Sequence, residues 1–203
     1  MRKSKETLRM VQLSLLIALV VVLQIISALI PPIGGTVSIT LTLIPVVVGG
    51  ILYGKKAGAI LGFAFGAIVL VNCICALDLG GSILWNANPI LTAVICFAKG
   101  IAAGFIPACL YELVKGCAEK QSKGRAFAAT VVAALAAPIV NTGLFVLGMI
   151  LFFKDTLYAW AGGTDIMMYV LFGLAGINFL VEFLINIFLS PAIVRIVGVV
   201  KKK

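Results

Sequence analysis

Residues 57–77 and 126–153 run without one charged side chain. In water both stretches would have to be hidden, and a chain of 203 residues has no core large enough to cover them along with its other apolar runs. Composition agrees: 63% of residues are hydrophobic and 11% charged, against about 45–50% and about 25% in a soluble domain. A helix crossing a bilayer needs roughly 20 apolar residues, so there is room for about six crossings. The chain reads as an all-α polytopic membrane protein, one integral membrane domain over 1–203.

Six spans are expected, at 10–30, 37–54, 57–77, 88–110, 126–152 and 168–194. The first is about 32 Å long at about 1.5 Å per residue, a match to the hydrocarbon core. Pro31-Pro32 end it, and it has no A-x-A-like cleavage site, so it reads as a retained helix. Lys55-Lys56 stop the second span and Asp78 follows the third. A Gly/Asn-rich loop containing Trp85 (78–86) precedes the fourth. Residues 111–125 form the one strongly polar stretch in mid-chain, and Lys154 and Asp155 open the loop before the sixth span.

The basic residues set the orientation. Arg2, Lys3, Lys5, Arg9, Lys55, Lys56, Lys115, Lys120, Lys123, Arg125, Arg195 and the tail Lys201-Lys202-Lys203 all fall at the termini or in even-numbered connections. These are 14 of the 16 basic residues. Lys154 stands alone on the other side, beside Asp78, Asp155 and Asp165, and Lys99 lies within a span. The positive-inside rule puts both termini in the cytoplasm.

Residues 37–43, VSITLTL, alternate with period two like a half-buried strand. A lone strand in a bilayer leaves its backbone unpaired. The segment is therefore either helix with its threonines turned to the bundle or a short extended lead-in lining a cavity, and Pro45 suits an irregular helix start. Small residues recur where helices can approach closely: Gly58, Gly62 and Gly66 on span three, Gly100 and Gly104 on span four, Ala133 and Ala137 on span five, and Ser14 and Ala18 on span one. Internal packing explains each of these pairs equally well.

Several polar groups would be costly against lipid. Lys99 and Glu182 lie at depths of about 17 and 21 Å from the outer end of their spans. They pair as a structural bridge, or Lys99 binds a substrate carboxylate with Glu182 balancing it, or the charges snorkel or the helix ends lie elsewhere. Asn178, Glu182 and Asn186 share one face of span six at i, i+4, i+8. Asn141 and Thr142 lie mid-span, Asn72 nearer the outer end, and Asn88 starts span four beside Trp85. As a group these amides and the aromatic suit a small polar ligand, although hydrogen bonds between helices explain any one of them.

Other chemistries find little footing. Cysteines 73, 75, 96, 109 and 117 form neither a disulfide framework nor, with no histidine in the chain, a zinc site, and they read as small apolar packing residues. No P-loop, metal site or nucleophilic triad is evident. The expectation is no enzyme, no catalytic cofactor and no nucleic-acid partner.

Three stretches resemble a known family: 44–66, IPVVVGGILYGKKAGAILGFAFG; 98–115, AKGIAAGFIPACLYELVK; and 138–153, PIVNTGLFVLGMILFF. Together they are similar to the substrate-binding (S) component of energy-coupling factor transporters, over about Leu13 to Ile193. The resemblance implies six helices with both termini inside and high-affinity uptake of a water-soluble vitamin through a bacterial or archaeal cell membrane. It implies partners too: a transmembrane coupling subunit, docked on a small-residue face matching Ser14 and Ala18, and two cytoplasmic ATPases. The branch that looks most similar contains carriers of pantothenate, whose carboxylate would give Lys99 a partner and whose hydroxyl and amide groups would match Asn88, Asn141 and Asn178. The polar cluster above adds Asn72, Trp85, Thr142 and Glu182 as candidate vitamin-binding residues. The alternative is a self-contained secondary transporter or channel for a small solute, although no clear inverted repeat relates the two halves.

Overall fold

The structure, a computed structural model, describes residues 2–29, 41–116, 123–174 and 176–200. Nine helices are defined within them: α1 (Arg2–Leu29), α2 (Leu43–Tyr53), α3 (Lys55–Ile74), α4 (Leu79–Ala87), α5 (Pro89–Lys115), α6 (Lys123–Phe152), α7 (Lys154–Ala161), α8 (Ile166–Met168) and α9 (Gly176–Val200), with a π-helical turn, Tyr169–Leu174, leading into α9. No strand occurs among the described residues. Helices α1, α3, α5 and α6 are long and apolar enough to cross a membrane, and shorter apolar stretches lie at Leu43–Tyr53 and Phe179–Leu189.

The spans and the helices differ where local chemistry shifts an end. Residues 37–40 of the alternating stretch lie outside the described residues, so the second span is represented by α2, much shorter than 37–54. Pro45 falls in the first turn of α2, where its missing N–H has no partner to lose. Helix α3 starts at Lys55, and its hydrogen-bonding ends at Cys75, after which Ala76 takes a left-handed φ of 56°. The stretch expected as a loop at 78–86 is mostly helix α4. Buried Gly80 and Gly81 let this helix sit tightly on the bundle, and the packing outweighs their poor helix propensity.

Helices α3 and α5 run antiparallel along a glycine seam. A Cβ placed on Gly66 would lie 2.6 Å from the Cys96 carbonyl oxygen, and at Gly58 and Gly62 it would collide with the carbonyls of Gly104 and Gly100. Only hydrogen at these positions lets the two backbones touch. The small faces expected on spans three and four are thus the two sides of one contact.

The main core gathers Val46, Val47, Leu61, Phe65, Ala133 and Ala137 around α2, which is buried over most of its length. Thr42, just before α2, donates to Gln24 Oε1 at 2.7 Å, and the Leu41 N–H donates to Ser27 Oγ at 3.2 Å. These bonds tie buried polar groups of α1 to the start of α2. Val20 of α1 is in the core, with Leu13, Leu16 and Ile17 packed against it, while Leu8, Leu15, Val22 and Ile26 on its other face are exposed.

One end of the bundle is basic. Arg9 donates to the Tyr53 carbonyl at 2.6 Å, and Gly54, whose φ of +88° favours glycine, turns α2 into α3 close to Glu112. Gly116 approaches Arg125 there, and Lys115 lies 5.7 Å from the Tyr111 ring centroid. At the opposite end Leu84, Ile95, Met149, Phe153, Leu157 and Val170 form a second apolar cluster that joins α4 and α7 to the long helices.

Candidate functional site

Beneath α4, at the end of the bundle away from the basic residues, a small cavity opens between α3, α5 and α6. Val69, Cys73, Asp78, Gly81, Leu84, Thr92, Ile95, Cys96, Lys99 and Phe145 line it, and its volume is about 30 Å³. That is room for a water or two.

Each polar wall group owes its position to the local fold. The Leu77 and Asp78 amides donate to the Asn72 carbonyl at 2.9 and 3.3 Å, folding the chain back after α3 so that Asp78 faces inward at the start of α4. The Gly80 and Gly81 amides face its carboxylate without closing a capping bond. Burial pushes the Asp78 carboxyl above the usual carboxylate range, while Lys99 and these amides pull the other way. Its Oδ1 is buried with no hydrogen-bond partner.

Lys99 enters from α5, with Nζ 5.0 Å from the Phe145 ring centroid on α6, a cation–π contact. It shares the cavity with Asp78, yet the two close no ion pair among the described residues. The Thr92 hydroxyl donates to the Asn88 carbonyl at 2.8 Å. The Cys73 and Cys96 thiols complete the wall.

The expected site residues divide. Lys99 lines the cavity, but toward Asp78 and Phe145; Glu182 is not among its walls. Buried Glu182 lies on α9, where its carbonyl accepts from Asn186 Nδ2 at 2.8 Å. Asn141 is buried on α6 with Oδ1 unpartnered, and its neighbour Thr142 is half-buried. The side chain of Asn178 lies outside the described residues. Asn72 is buried beside the cavity, where its carbonyl anchors the turn. Asn88 caps α5, its Oδ1 accepting from the Leu91 N–H at 3.1 Å, which gives it a structural task. Trp85 is half-buried on α4 and packs against the main core.

Asp78, Thr92 and Phe145 were absent from the expected site. For Asp78 the signal lay in the sequence: an acid directly after an apolar span, followed by Leu79-Gly80-Gly81. A larger recess of about 200 Å³ near α7 and α8 is walled by Ile150, Leu157, Tyr158, Ile166, Met167 and Val170, with Lys154 its one charged group. It lacks the opposed charges of the smaller site.

Ser14 and Ala18 both lie on the exposed face of α1, where Ser14 Oγ donates to the Met10 carbonyl at 3.0 Å. Packing inside this chain therefore does not account for that small pair.

Residues 8–194 match the family described as ECF transporter, substrate-specific component. The chain is also similar to the pantothenic acid transporter PanT of Lactococcus lactis subsp. cremoris (strain MG1363). The two are 29% identical over 195 residues, which cover 96% of this chain and 95% of that protein.

Proposed function

We propose, from the premise that this chain belongs to the substrate-specific components of ECF transporters, that the vitamin it takes up is pantothenate and that Lys99 receives the vitamin's carboxylate. Vitamin uptake as a subunit of such a transporter follows from the family and from the similarity to PanT; this is not an enzyme family. The choice of pantothenate draws on PanT's name and on the chemistry of the cavity beneath α4.

The observation that carries the reading is Lys99 itself: an ammonium deep in an apolar helix, backed by a ring and facing a cavity without closing an ion pair. Such a charge is costly unless a partner meets it, and a substrate carboxylate would be that partner. The cavity must widen to take a vitamin. Asn141, Thr142, Asn178 and Glu182, on α6 and α9, would then offer hydrogen bonds to hydroxyl and amide groups. Asn72 and Trp85 would border the opening. Asn88 would act through its cap, holding the first turn of α5.

Energy would come from two cytoplasmic ATPases through a transmembrane coupling subunit. The exposed Ser14–Ala18 face of α1 suits docking, because small side chains let a second helix approach closely. Six crossings with both termini in the cytoplasm of a bacterial or archaeal cell membrane fit the gathering of Arg9, Lys55, Lys56, Lys115 and Arg125 at one end of the bundle.

The test is mass spectrometry of small molecules retained by the gently purified protein, followed by equilibrium binding of radiolabelled pantothenate. Retained pantothenate with saturable binding is the expected result. A different retained vitamin, with no pantothenate binding, would overturn the choice of substrate.

A further inference from the structure

Among the described residues no donor on the cavity wall meets Asp78 Oδ1. The Thr92 hydroxyl goes to the Asn88 carbonyl at 2.8 Å, and Lys99 leans on the Phe145 ring and closes no ion pair with Asp78. Val69, Leu84 and Ile95 bring none. Against this background Asp78 Oδ1 is a buried acceptor left empty, a costly state for a polar group out of water. Gly81 lies close by on α4: a Cβ there would fall 3.1 Å from Asp78 Oδ2 and would collide with Cys73 Sγ.

We infer that Asp78 is a second recognition residue, its Oδ1 accepting a hydrogen bond from a hydroxyl or amide N–H of the same ligand whose carboxylate meets Lys99. The site thereby selects for a carboxylate that also carries a neutral donor, and a plain carboxylate lacks what Asp78 requires. This rests on reading the cavity as the vitamin site and adds the chemical class of guest it accepts. The opposed pair works as a two-point gauge: Lys99 tests for negative charge, Asp78 for a donor at a set distance from it. A ligand without the donor would leave Oδ1 as empty as before while excluding the water that could fill it.

The test uses the full chain in detergent and three probes: pantothenate, hexanoate, and pantothenate methylated on both hydroxyls and the amide nitrogen, which keeps the carboxylate and has no donor. On the wild-type protein the methylated probe and hexanoate should each bind at least about tenfold more weakly than pantothenate, the loss of one hydrogen bond to a charged group. Asp78→Ala should weaken pantothenate by a similar factor and leave hexanoate unchanged, whereas Asp78→Asn, which keeps an acceptor oxygen, should retain most of the affinity. The methylated probe needs no variant, so a misfolded Asp78→Ala does not block the answer. If the wild-type protein binds pantothenate and the methylated probe equally, or Asp78→Ala binds pantothenate as the wild type does, the role of Asp78 falls and the vitamin site stands. If the wild-type protein binds no pantothenate, the parent reading falls and takes this one with it.

Discussion

The Lys99 ammonium lies 5.0 Å from the centroid of the Phe145 ring, which reaches it from the adjacent antiparallel helix. The ring face offers a partial substitute for lost hydration, worth about 0.5–2 kcal/mol, and that is too little to satisfy a half-buried cation in an apolar helix. The contact steadies Lys99 without using up its capacity for an anion.

Lys99→Met should therefore weaken binding of an anionic vitamin by about tenfold to a hundredfold, the range for a hydrogen bond to a charged group, and change that of a neutral one little. Equilibrium binding to the purified variant measures it. Equal affinities before and after the exchange would remove Lys99 as the carboxylate's partner.

Ala18→Trp places a large ring on the outward face of α1, where the side chain meets none of this bundle's core. Vitamin binding to the isolated protein should be unchanged, and uptake by cells carrying the full transporter should fail. Normal uptake would mean that the coupling subunit docks elsewhere.

Gly62→Val drives a branched side chain into the Gly100 carbonyl. Because the obstacle is backbone, the cost should reach about 3 kcal/mol or more, the upper end for overpacked cores. A large fall in melting temperature or loss of the monodisperse species would show it, and a variant as stable as the wild type would mean that the seam is looser than drawn.

Single cysteines test the orientation. In intact cells, on a background freed of native cysteines, Lys154→Cys should react with an impermeant maleimide added outside, and Lys56→Cys should stay protected. The reverse pattern would invert the bundle.

Asp78 should leave a mark on stability against pH. Its folded-state carboxyl is raised above 3.8 by burial, so the folded chain holds this proton more tightly than the unfolded chain does. Stability from this group is fully present below the unfolded value and is lost as pH rises through the raised folded value. Cys73, Cys96 and Lys99 are the other ionisable groups on the cavity wall. In thermal melts of the ligand-free protein, Asp78→Asn should flatten the decline between the ordinary carboxylate range and neutrality. Parallel pH profiles for the two proteins would show that Asp78 is not the group responsible.

Much of the architecture was legible because lipid imposes it. Uncharged runs marked the long helices, and Gly58, Gly62 and Gly66 on one helix with Gly100 and Gly104 on the next marked the seam. The site was harder to read. Depth along a helix gives height in the membrane but not bearing around the bundle, so Lys99 and Glu182 shared a level while Lys99 turned toward Asp78. That neighbour comes from 21 positions earlier in the chain, delivered by a turn hung on the Asn72 carbonyl, and no periodicity announces such a turn. Helix α4 was hidden for a related reason: Gly80 and Gly81 weaken helix propensity, and only the fit of Gly81 against Cys73 and Asp78 shows why a glycine is there.

The seam also sets which wall of the chamber is rigid. Three carbonyl-to-glycine contacts in succession mean that α3 and α5 cannot spread or slide without surrendering all of them together, so the floor of the chamber behaves as a keel. The roof is different: α4 is nine residues long, hung between the left-handed Ala76 and the extended Asn88. Leu84 and Trp85 pin it to the two apolar clusters, so side chains hold the roof where backbone contacts hold the keel.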